Sequence, residues 1–181
     1  MSRDFYELCY DQYKQEMAEA DALYQKAGVM LGVIPLLGAI SVTIGRMDIV
    51  NLCLVRVDVF IFFLALVIST VALVASVVFL FKCVCPRNYK TLASMDEWQK
   101  WREDYQRWLD ERKNESKEKS SLDDTMFQKI CLMLAEAQPF NAKINEKRRQ
   151  AFKRSVQLAA IALVAIGVQA AFGFLLTLQE V

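Results

Sequence analysis

Residues 59–81 read VFIFFLALVISTVALVASVVFLF, an uncharged run of 23 residues from Val59 to Phe81, bounded by Asp58 and Lys82. As an α-helix it reaches roughly 35 Å, enough to cross a hydrocarbon core of about 30 Å with some tilt. The competing reading is a buried helix of a large globular protein. It fails on size, because a chain of 181 residues cannot surround so long an apolar run.

Two further uncharged runs follow from this one. Ala27–Gly45 has 19 residues, which gives roughly 28 Å of helix, just enough to span. It carries Gly28 and Gly32 as a GxxxG pair, which permits close helix contact, and Pro35, which predicts a kink. Ser155–Gln179 has 25 residues. The expected fold is therefore an all-α membrane protein with three transmembrane helices per chain, at 27–45, 59–81 and 155–179. A cytosolic N-terminal helix is expected at 1–26, a short extracytoplasmic link at 46–58 and a cytosolic helical region at 86–154.

Charge sets the expected orientation. The net charge is only +1, but 16 of the 22 Lys and Arg lie between Arg87 and Arg154, against Arg46 and Arg56 in the link. The positive-inside rule then puts the central region and the N-terminus in the cytoplasm and Cys53 across the membrane. The start, MSRDFYELCYDQYKQEM, is polar and acidic, so no cleavable signal peptide is expected. Cys83 and Cys85 sit at a membrane boundary where acylation is chemically conceivable, with unmodified thiols the simpler reading.

Outside the spans, two aromatic stripes stand out. Tyr6, Tyr10, Tyr13, Met17, Ala20 and Tyr24 recur at helical spacing on an otherwise acidic helix. Trp98, Trp101, Tyr105 and Trp108 do the same behind a capping box made by Ser94 and Glu97. So much apolar area needs a partner, and the sequence suggests that the two stripes pack together through Tyr6, Tyr13, Trp98, Trp101, Tyr105 and Trp108. A platform for stacking nucleobases is the sharper alternative. Glu103 and Arg107 are spaced to pair along that helix, and Arg56 and Asp58 could pair in the link. Beyond the polar loop Asn114–Asp124, Asp123 or Asp124 is expected to cap a helix from Thr125 to Gln138. Pro139 is expected to break it, and one long helix to run from Asn141 onward.

That last helix carries the polar positions of interest. Ala165, Gln169 and Gly173 fall four apart on one face of the third span. An intramembrane Gln must face protein or water. It is either glue between helices at an oligomer interface or part of the lining of a water-filled path. Lys143, Lys147, Arg148 and Arg149 form a basic stretch before the span. It either anchors the helix at the bilayer or binds a polyanion such as an oligonucleotide, a nucleotide second messenger or anionic lipid.

Catalytic and metal chemistry is not legible. The chain has no His and five cysteines without finger-like spacing, so no zinc site, other metal or cofactor is expected. No nucleotide-binding loop motif and no activated nucleophile is present, so the chain is not expected to be an enzyme.

PRNYKTLASMDEWQKWREDYQRWLDE at 86–111 and FNAKINEKRRQAFKRS at 140–155, in this order of spans, resemble the small transmembrane effectors of bacterial antiphage defence. These are the SLATT-type proteins, the Pycsar membrane effectors and the Hailong channel effector. The resemblance implies self-assembly in the bacterial inner membrane into a homo-oligomer, a tetramer being one form. It also implies a channel, or another membrane-disrupting activity, controlled by a nucleotide from a partner nucleotidyltransferase or cyclase. A non-conducting scaffold that recruits a cytosolic partner has the same spans and is the alternative.

Overall fold

A computed structural model describes residues 3–46, 57–85, 87–111 and 122–178. They form four helices: α1 Arg3–Gly45, α2 Val57–Val84, α3 Met95–Glu111 and α4 Leu122–Leu178. The chain is all-helical, with no strand among the described residues. Residues 47–56 of the expected link, including Cys53 and Arg56, lie outside the described residues. So do Pro86, Gln179 and residues 112–121, which include 114–121 of the polar loop.

Three of the four helices are long and apolar enough to cross a membrane. Two of them run further than local signals suggest. α1 carries both the N-terminal segment and the first apolar run, passing through Pro35. α4 continues through Pro139, where a break was expected, and it already begins at Leu122, so Asp123 and Asp124 lie in its first turn. A proline inside a helix costs about 3 kcal/mol through a lost hydrogen bond and ring crowding. Burial on both sides of Pro139 outweighs that cost: Leu134, Ala137, Asn141 and Asn145 are all buried, while Pro139 itself lies outward.

The buried positions repeat every seven residues. In α4 they are Leu134, Asn141, Arg148, Ser155, Ala162 and Gln169, each at most 1% exposed. In α2 they are Phe62, Ser69, Ser76 and Cys83, and in α1 they include Ala20, Ala27, Ile34 and Ser41. A spacing of seven keeps one seam of each helix against its neighbours, as in a coiled coil.

The chain divides into two compact units. The span unit contains Asp21–Pro86 and Glu146–Val181. Its core joins Ala27, Ile34 and Leu37 of α1 to Ala72, Leu73 and Leu80 of α2 and to Ala162 and Ile166 of α4. Large apolar side chains cover its outer surface, among them Val29, Leu36, Phe60, Val67, Val71, Phe81, Val164 and Phe174. Apolar area costs about 25 cal/mol per Å² in water. A helical unit whose outer surface is as apolar as this, on three helices long enough to cross a bilayer, has hydrocarbon as its solvent, so the protein is a membrane protein.

The aromatic unit contains Met1–Ala20 and Arg87–Asn145. The capping box closes the start of α3: Ser94 N donates to Glu97 Oε2 at 2.8 Å, and Glu97 N donates to Ser94 Oγ at 3.3 Å. The α3 rings then form a continuous column. Trp98 meets Trp101 edge-on at 6.3 Å, Trp101 stacks on Tyr105 at 5.3 Å, and Tyr105 stacks on Trp108 at 5.5 Å. On the polar side of α3, Gln99 donates to Glu103 and Arg107 pairs with Asp104.

Candidate functional site

Two polar layers cross the span unit. In the first, Ser76 of α2 and Ser155 of α4 each donate to the other's backbone carbonyl at 2.9 Å, and their hydroxyls lie 3.0 Å apart. In the second, Ser41 Oγ donates to Gln169 Oε1 at 3.2 Å, and Gln169 Nε2 donates to the Ser41 carbonyl at 3.2 Å. Ser69 Oγ lies 3.2 Å from Ser41 Oγ and also reaches the Leu66 carbonyl of its own helix at 2.9 Å. In the second layer the Gln169 amide joins α4 to α1 through Ser41, and the Ser41 hydroxyl meets Ser69 of α2, all at the long end of hydrogen-bond distances.

Near the C-terminus of α2, Arg148 of α4 acts as a cap. Its Nε donates to the Cys83 carbonyl at 2.7 Å, and its guanidinium lies 4.2 Å from the Tyr24 ring centre. The last four carbonyls of a helix have no partner within it and carry the negative end of the helix dipole. A buried guanidinium answers both needs.

In the aromatic unit, amides perform a similar task. Asn141 accepts from Lys90 N at 2.9 Å and donates to the Lys90 carbonyl at 2.9 Å. Asn145 accepts from Tyr89 Oη at 2.6 Å and donates to both the carbonyl and the carboxylate of Glu16 at 2.7 Å. These bonds pin the irregular segment 87–94 and α1 to α4. Cys9 and Cys131 are buried. Burial pushes the Cys131 thiol up from its ordinary value, and Cys9 nearby pushes it the same way, which favours the neutral thiol as a packing group.

The structure places each sequence-marked residue. Ala165, Gln169 and Gly173 lie on the buried face of α4 within one protomer, and the amide bonds of Gln169 are made to its own chain. Of the basic stretch, Lys143, Lys147 and Arg149 are exposed, with Arg149 paired to Glu146 at 2.8 Å, whereas Arg148 is turned inward. Tyr6 and Tyr13 are half-buried on α1, and Trp98, Trp101 and Tyr105 are half-buried on α3. Both stripes meet the start of α4: Tyr6 lies 5.2 Å from Phe127, Tyr105 Oη lies 3.3 Å from Thr125 Oγ1, and Lys129 sits over Trp101. Trp108 is exposed at the column's end.

Sequence reading passed over Ser155, Ser76 and the capping role of Arg148. The signal was present in the seven-residue spacing of Asn141, Arg148, Ser155, Ala162 and Gln169.

Residues 7–176 match a family model described as the Pycsar effector protein domain. No curated protein and no solved structure matches the chain.

Proposed function

The chain belongs to the Pycsar effector protein domain family, and from that premise we propose that this membrane effector of antiphage defence acts as an oligomeric channel. In this reading it resides in the bacterial inner membrane, with its N-terminus and residues 86–154 in the cytoplasm. A nucleotide signal made by a partner enzyme controls it through the cytosolic helices. The observation that carries the reading is the layer of Ser41, Ser69 and Gln169, fully or nearly buried among apolar helices. Polar side chains inside a membrane bundle are expensive and mark functional positions. Hydrogen bonds of 3.2 Å hold this layer loosely. When the helices repack in an oligomer, the same groups are free to face water and line a path.

The test is release of a small dye from liposomes holding the purified protein, with single-channel recording in planar bilayers as the second readout. Gln169→Leu keeps the volume and removes the polar lining, so signal-triggered release is expected to fall at least about tenfold while membrane insertion is unchanged. Release equal to the parent protein would remove Gln169 from the path. A parent protein that inserts, binds the signal and releases nothing would return the chain to a scaffold role.

A further inference from the structure

Beside the aromatic column, within the aromatic unit alone, lies an open pocket of about 530 Å³ lined by Thr91, Glu97, Trp98, Trp101, Lys129 and Met133, among others. That volume suits a small molecule. The chemistry of the walls narrows the choice. Trp101 is already engaged, stacked on Tyr105 and met by the Lys129 ammonium 4.3 Å from its ring centre. Trp98 stands at 82° to Trp101 and brings a second indole to the pocket wall. An indole face takes a flat heterocycle with little regard to its identity.

The two charged groups supply what stacking does not. Lys129 brings three N–H donors on a cation to the rim, a fit for an anionic oxygen. Glu97 is anchored by its Oε2, which accepts from Ser94 N at 2.8 Å. Its second oxygen remains an acceptor for N–H groups on a bound ring. One cation and one anion among these six lining residues leave no surplus positive charge, which disfavours a heavily charged triphosphate or an oligonucleotide.

We infer that this pocket is a nucleotide site, taking a base with an exocyclic amine and a phosphate of low charge. The base stacks on Trp98, the amine donates to Glu97 and the phosphate meets Lys129. The inference rests on the proposed nucleotide control and assigns it to this pocket instead of the basic stretch of Lys143, Lys147 and Arg149.

Two of the three tryptophans of the chain, Trp98 and Trp101, line this pocket, so intrinsic fluorescence of the full-length protein in nanodiscs reports on it, with Trp108→Phe removing the signal from outside it. The titrants are cyclic mononucleotides of the four bases, the matching 5′-monophosphates and triphosphates, nucleosides, and short oligonucleotides. Saturable quenching is expected from low-charge, amine-bearing nucleotides. Calorimetry provides the affinities of the variants, and circular dichroism checks that each retains its helices. Trp98→Leu is expected to weaken binding about tenfold or more. Lys129→Gln is expected to bring nucleotide affinity down to that of the nucleoside. Glu97→Gln preserves the cap, since Gln serves at that position, and is expected to abolish the preference over uracil. Nucleotide binding that survives all three changes but falls on charge reversal of Lys143, Lys147 and Arg149 would overturn the pocket and leave nucleotide control standing. Absence of binding by every titrant would sink both, while the dye-release assay judges the channel separately.

Discussion

The two ends of the span unit hold polar groups in the same kind of place but on different terms. At one end, Arg148 and the Ser76–Ser155 pair make short bonds to backbone carbonyls, from 2.7 to 2.9 Å. At the other, Gln169 is held to Ser41 of α1 by bonds of 3.2 Å, and Ser69 retains a separate bond within its own helix. The Cys83 carbonyl lies in the last turn of α2 and has no partner within its helix, so its bond to Arg148 fixes that helix end. An amide whose partners have alternatives specifies register at little cost in stability, and its contacts can be exchanged. The difference separates an anchored end from one suited to movement.

The largest effect should come from the anchored end. Arg148→Met is expected to destabilise by about 1.5–3 kcal/mol, the range for a hydrogen bond to a charged group. Thermal unfolding in detergent would register it as a much lower midpoint. A loss confined to nucleotide response, with the midpoint unchanged, would break the comparison by making Arg148 a ligand contact.

Next is the serine pair. Ser76→Ala with Ser155→Ala should cost about 1 kcal/mol, near the average for two interhelical contacts in a membrane. Titration with SDS reads this directly. A cost no greater than that of Ser41→Ala would mean that bond length does not distinguish the two layers. Ser41→Ala is expected to raise dye release without any signal severalfold, because it withdraws a partner from the Gln169 amide.

The spans were legible because charge-free runs report their solvent whatever the tertiary fold. The capping box was legible because it lies within four residues. The role of Arg148 was hidden by its neighbours: Lys147 and Arg149 make the stretch look like one basic face, although on a helix the middle residue points elsewhere. Pro139 misled because local propensity is overridden when residues on both sides are buried. The pocket was beyond sequence reading, since Trp98 and Lys129 are joined only by folding.

The smallest effect sharpens the comparison most. Gln169→Leu removes the two 3.2 Å hydrogen bonds to Ser41 and adds apolar contact, while Ser69 still bonds the Leu66 carbonyl and Ser41 is free to turn to its own helix. The expected loss in SDS titration is below about 0.6 kcal/mol, even as dye release falls. A stability loss matching that of Arg148→Met would show that Gln169 belongs to the anchored end, and that the reduced release reflects misfolding instead of an altered path.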